Sequence, residues 1–165
     1  MDTDHGSRSR ICGRTWLGES IPCMTILVIE DSRFLRLALE RMLVKAGYDV
    51  IAVGDGKDGL LRAQDVPPDI ILLDMMLPTM EGTAVLSQLK QDPLTKSIPV
   101  IVLSGLSQKN EKKLRTAGAA AYFEKSLLNL NDDGSSLVNA VQNVLAELTG
   151  ADENLSKRVN AGVPI

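Results

Sequence analysis

The feature that most constrains this chain is a repeated alternation of short, unbroken aliphatic runs with segments of helical period. Ile26–Ile29, Ile70–Leu73 and Val100–Leu103 carry no polar interruption, as expected of strands buried on both faces. After the first run, Leu35, Leu39, Met42, Leu43 and Ala46 recur at the spacing of one helix face. Asp31 or Ser32 serves as the cap of that helix and Gly47 as its stop. Asp49–Val53 reads as a second strand, and Gly54-Asp55-Gly56 as a turn into a short helix around Leu60–Gln64. Pro67-Pro68 ends that helix, because proline removes a backbone donor and restricts the residue before it.

Ile70–Asp74 forms a third strand, followed by a loop over Met75–Gly82 and a helix over Thr83–Gln91 with Val85, Leu86 and Leu89 on its apolar side. Val100–Ser104 is the fourth strand, Lys109–Ala117 a charged helix, Ala119–Phe123 a short fifth strand, and Ser136–Leu148 a closing helix. Five repeats of strand then helix imply a parallel sheet with right-handed crossovers and helices on both faces.

Composition narrows the function classes. Of 165 residues, 44% are hydrophobic and 24% charged, enough for one domain with a real core. Aromatic residues make up only 3%, which argues against a base-stacking platform. A net charge of −3 leaves no electrostatic footprint for direct nucleic-acid binding. The single histidine, His5, excludes a histidine triad or a multi-histidine metal site. Cys12 and Cys23 both precede the first core strand, so no disulfide framework is expected and a reducing cytosol fits. No apolar run approaches the roughly 18 residues of a membrane span, and residues 1–23 lack the apolar stretch of a signal peptide. The expected organisation is an irregular leader over 1–23, one domain over 24–149, and a C-terminal tail over 150–165 too short for an output domain. The expected location is the cytoplasm.

In a parallel sheet of this kind, ligands sit beyond the carboxyl ends of the strands. The first strand delivers Glu30 and Asp31 there, the third Asp74, the fourth Ser104, and the fifth is followed by Lys125. Singly, each has an ordinary structural explanation: a helix-capping acid, a loop acid, a turn serine, a solvated lysine. Together they place three carboxylates, a hydroxyl and an ammonium on one rim. Three neighbouring carboxylates need a cation to ionise at low cost. An oxygen-only set suits a hard ion, with Mg²⁺ the natural choice. A metal, a lysine, a hydroxyl and an exposed aspartate are what phosphoryl transfer to a carboxylate requires.

The motifs Val28-Ile29-Glu30-Asp31-Ser32, Ile71-Leu72-Leu73-Asp74-Met75-Met76-Leu77-Pro78, Val102-Leu103-Ser104-Gly105 and Gly118-Ala119-Ala120-Ala121-Tyr122-Phe123-Glu124-Lys125 resemble the receiver domain of two-component response regulators. The likeness runs from about Thr25 to Leu148 and is of the single-domain, chemotaxis-regulator-like kind. It implies a flavodoxin-like, doubly wound sheet of five parallel strands in the order 2-1-3-4-5, with five helices. It further implies Asp74 as phosphoacceptor, and Glu30, Asp31, Asp74 and the backbone carbonyl of Met76 as ligands of Mg²⁺. Ser104 would be the hydroxyl that moves toward the phosphoryl group, Lys125 its ion-pairing lysine, and Tyr122 the switch aromatic. Met76 and Leu106 occupy the positions that tune hydrolysis of the phosphoprotein. The resemblance implies a histidine kinase or histidine phosphotransfer protein as donor, a downstream protein target, no direct nucleic acid or membrane partner, and room for a dimer formed on phosphorylation. The charged helix, fifth strand and last helix would be the partner surface. The domain would be a switch rather than an enzyme, catalysing only its own phosphorylation and dephosphorylation.

One departure stands out: Ser126 follows Lys125 where the family usually has a proline in a cis bond, and a cis bond before serine costs about 2.5–4 kcal/mol. That departure keeps open a phosphorylation-independent pseudo-receiver that only binds partners. A haloacid-dehalogenase-like phosphatase would want an acid two residues after its nucleophile, where this chain has Met76. A nucleotide or flavin module lacks both glycine-rich phosphate signatures.

Overall fold

The computed structural model describes residues 11–16, 19–105, 111–128 and 134–160, with side chains described from 23 to 148 within those spans. Strands β1 (Thr25–Ile29), β2 (Asp49–Val53), β3 (Ile70–Asp74), β4 (Val100–Ser104) and β5 (Ala121–Glu124) form one sheet in the order β2-β1-β3-β4-β5. All four pairings are parallel. Helices α1 (Arg33–Lys45), α2 (Gly56–Asp65), α3 (Gly82–Gln91), α4 (Glu111–Thr116) and α5 (Ser135–Asn160) connect and close the series. This is the doubly wound, flavodoxin-like arrangement expected from the sequence.

The strand alternation divides the core in two. Ile26, Val28, Ile70, Leu72, Ile101 and Leu103 point to the face covered by α1 and α5, meeting Leu39, Leu43, Leu137 and Val141. Leu27, Ile29, Ile71, Leu73, Val100 and Val102 point to the other face, against Ala63, Val85, Leu86, Leu89 and Leu114 of α2, α3 and α4. Because both faces are covered, neither set is interrupted by polar residues.

Several boundaries differ from those expected. Helix α2 starts at Gly56, ahead of the expected Leu60, because the Asp55 carboxylate caps it by accepting from the Lys57 N–H at 2.7 Å. Strand β5 starts at Ala121 rather than Ala119. The N–H groups of Ala117, Gly118 and Ala119 still bond back to carbonyls of α4, so pairing with β4 begins later. The charged helix is described over Glu111–Thr116; the expected residues Lys109 and Asn110 lie outside the described residues.

Both ends of the chain also differ. The leader carries a two-stranded antiparallel ribbon, Ile11–Trp16 against Glu19–Pro22, instead of irregular chain throughout. Its segments hold the β-branched residues Ile11, Thr15 and Ile21 beside Trp16, and only two residues separate them. Helix α5 runs on through Asn160, past the expected end at Leu148. Leu155, Glu153 and Lys157 are good helix formers, and no proline intervenes before Pro164. Among the described residues, no helix is long and apolar enough to cross a membrane.

Candidate functional site

Parallel pairing brings the carboxyl ends of all five strands to one rim, where the sheet's polar residues are buried. Glu30, Asp74 and Ser104 are all buried, so Asp74 is not the exposed aspartate expected from sequence; Asp31 is the acid exposed at the mouth. One carboxylate oxygen from each of Glu30, Asp31 and Asp74 lies within 4.8 Å of the others. Lys125 reaches in from the 3₁₀ turn Lys125–Leu127 after β5. Its Nζ stands 2.9 Å from Glu30 Oε2 and 2.9 Å from Asp74 Oδ1.

The local chain explains the convergence. The Glu30 N–H bonds the Val53 carbonyl at 3.0 Å, extending the β1–β2 pairing one residue past the strand and drawing the Glu30 side chain under the rim. Glu30 Oε1 accepts from the Ser32 N–H at 3.0 Å. Asp74 Oδ1 accepts from the Met76 N–H at 3.1 Å as well as from Lys125. Among the described residues nothing donates to Asp74 Oδ2, which is fully buried. The Lys125–Ser126 bond is trans, like every other described peptide bond. The ammonium reaches both acids in this geometry, and the Ser126 hydroxyl donates to Glu124 Oε1 at 2.8 Å.

These contacts set the electrostatics. Burial pushes the Glu30 carboxyl up to about 7, against the opposing pull of Lys125 and the Ser32 N–H. Burial works against the Lys125 ammonium too, yet its bonds to Glu30 and Asp74 outweigh this and hold its pKa above the ordinary lysine value. The cluster is thus short of positive charge: one lysine, paired with two of them, stands against three carboxylates, and among the described residues Asp74 Oδ2 has no donor. That donor set, oxygen only and partly open to solvent through Asp31, fits a hard divalent cation held by few protein ligands.

The remaining expected site residues divide. Tyr122 is half-buried on β5, packed against the α2–α3–α4 side of the core and paired in register with Val102. Met76 is 70% exposed and lines a cleft of about 840 Å³ with Asp31, Pro78, Ser104, Lys113 and Leu114. Leu106 lies outside the described residues. One feature was missed from sequence: Phe34, Leu37 and Val44 on α1 are 71%, 42% and 49% exposed, on the face opposite Leu39 and Leu43. Their spacing of three and seven residues is a helical stripe and was visible as such.

A family model for the response regulator receiver domain matches residues 26–142. The chain belongs to this family. Among curated relatives of this receiver domain, protein PilG of Pseudomonas aeruginosa is 37% identical over 103 residues, 62% of this chain and 76% of its own length. Protein PilH of the same organism is 32% identical over 122 residues, 73% of this chain and 97% of its own. The solved CheY-like receiver domain protein from Methanospirillum hungatei superposes with a TM-score of 0.69 at 25% identity, over 78% of this chain and 98% of that one. The chain is therefore a receiver domain of two-component signalling, a family that works with histidine kinases or phosphotransfer proteins and with downstream targets.

Proposed function

We propose that this receiver is a phosphorylation switch that accepts a phosphoryl group on Asp74 from a histidine kinase or histidine phosphotransfer protein. The observation that carries this reading is the asymmetry of the Asp74 carboxylate. Lys125 and the Met76 N–H engage Oδ1, while Oδ2 stays buried and without a donor beside two further acids. An oxygen so placed is a nucleophile held in one orientation.

In the proposed reaction Asp74 attacks the phosphorus of a phosphohistidine, the N–P bond breaks, and the donor imidazole leaves. Glu30, Asp31, Asp74 and the Met76 carbonyl would hold Mg²⁺, which supplies positive charge to the equatorial phosphoryl oxygens. Lys125 adds a compact second cation already aimed at Asp74. Ser104, buried at the end of β4, donates its hydroxyl to a phosphoryl oxygen, and its displacement is passed to Tyr122 on the neighbouring strand. The apolar Met76 side chain at the mouth hinders the water that would hydrolyse the product. The domain thus catalyses its own phosphorylation and dephosphorylation.

The exposed apolar stripe of α1 suits docking of the donor, since Phe34 lies on the first turn of the helix that follows Glu30 and Asp31 in the chain. The response reaches partners through α4, β5 and α5. A cytoplasmic setting fits this donor chemistry.

Incubation with Mg²⁺ and acetyl phosphate, read by intact mass, tests the reading. Wild type should gain one phosphate-sized adduct that needs Mg²⁺ and disappears in Asp74→Ala. No adduct, under conditions that label another receiver, followed by none from a phosphorylated donor protein, would leave a partner-binding module that works without phosphorylation.

A further inference from the structure

Arg36 is a cation placed where helix physics disfavours one. It lies in the first turn of α1, at the positive end of the helix dipole, in a turn with no acidic residue. Its guanidinium makes no described ion pair. Instead Nη1 donates to the backbone carbonyls of Glu30 at 2.8 Å and Asp31 at 3.3 Å. Those are the two consecutive residues whose carboxylates enter the acidic cluster. By taking their carbonyls, Arg36 fixes the backbone from which both side chains leave while keeping the carboxylates themselves unpaired with it.

The opposite wall is built to match. The Glu30 N–H is held by Val53, and the next residue, Gly54, lies against the guanidinium. A Cβ at Gly54 would stand 2.7 Å from Nη1. The loop is therefore gripped on both sides: by the end of β2 through its N–H, and by Arg36 through its carbonyls. Gly54 leaves the space that this grip requires. Both bonds leave one nitrogen, so a lysine ammonium has donors enough for two carbonyls, but it lacks the planar group that fills the space against Gly54.

We propose that Arg36 is a positioning residue for the cation site, with Gly54 as the gap it occupies. The inference rests on the reading of Glu30, Asp31 and Asp74 as Mg²⁺ ligands. Groups that orient metal ligands from behind typically contribute about 10–100-fold to metal affinity.

Charge makes the test decisive. Removing a positive group near a cation site should, by Coulomb's law alone, tighten cation binding. Positioning predicts the reverse. Calorimetric titration of Mg²⁺ into the full chain, at fixed ionic strength, should give about tenfold weaker binding for Arg36→Gln. Arg36→Lys should recover less than half of that loss. Gly54→Ala keeps the charge and should also weaken binding, by displacing the guanidinium, and should add little on top of Arg36→Gln. Asp31→Asn serves as the control for the site itself.

Unchanged or tighter binding in Arg36→Gln, with Asp31→Asn weakened, would overturn the positioning role. A fall in melting temperature without a change in Mg²⁺ affinity would also overturn it, since that marks a merely structural contact. If Arg36→Gln does not fold, Gly54→Ala decides the matter alone, because it alters only a contact with the mobile end of a side chain. Unchanged binding in Asp31→Asn would overturn the cation site, and the role of Arg36 with it.

Discussion

Helices α1 and α4 cover opposite faces of one sheet and are held to it in different ways. Helix α1 has 13 residues, a Ser32 hydroxyl accepting from the Leu35 N–H, and Leu39, Met42 and Leu43 buried beneath it. Among its described residues, Glu111–Thr116, helix α4 buries one side chain, Leu114. Yet α1 shows an apolar stripe to solvent as well, while the outer surface of α4 is charged, with Glu111 and Arg115 paired at 2.9 Å. A firmly seated helix with a second apolar face is a fixed platform for a partner. A helix whose described part is seated by one leucine is cheap to displace, and suits an element that must respond to chemistry at the rim.

The largest effect that sharpens this contrast concerns anchoring. Leu39→Ala should cost about 2–5 kcal/mol in urea denaturation. Leu114→Ala should fall at or below the low end of that range, because a helix seated through one leucine can settle into the space left behind. Equal costs would mean that α4 is seated as firmly as α1.

A smaller effect concerns the platform. Phe34→Ala should slow phosphorylation by a phosphorylated donor protein about tenfold, within the range of a central contact residue. Its rate with acetyl phosphate should stay at the wild-type value. Slowing with both donors would move Phe34 from docking to the chemistry.

Smallest is the surface of α4. Glu111→Ala breaks its exposed ion pair and should change stability by less than about 0.5 kcal/mol. A larger loss would show that the helix depends on its charges rather than on Leu114.

The same contrast explains how much of the molecule was legible in its residues. Strands β1, β3 and β4 read cleanly because burial on both faces leaves unbroken aliphatic runs, and the half-buried edge strand β2 read from Val50-Ile51-Ala52-Val53. Asp74, Glu30, Asp31, Ser104 and Lys125 read as one site because parallel pairing leaves the strand ends only one rim to share. The start of α2 was missed because Gly56 and Gly59 argue against helix on propensity, which tertiary packing overrides. Gly59 lies so close under Ile29 that a Cβ would overlap its Cδ1. The outer stripe of α1 was hidden for another reason. One apolar face, Leu35 to Ala46, already satisfied the core, so Phe34, Leu37 and Val44 drew no separate reading. Arg36 was illegible because its partners are backbone carbonyls, and no side-chain motif marks them. The reach of Lys125 across a trans bond to Ser126 depends on the path of the whole turn, which residue identity alone does not specify.

An aspartate in water has two interchangeable oxygens. In this fold Lys125 and the Met76 N–H both claim Oδ1, so the pair is made inequivalent before any reagent arrives. On the proposed phosphoacceptor role, Asp74 has a built-in regiochemistry, with one oxygen as the handle and the other left for the phosphoryl group. An adduct formed there has its direction set in advance, and the groups lining the rim can be arranged for that single product.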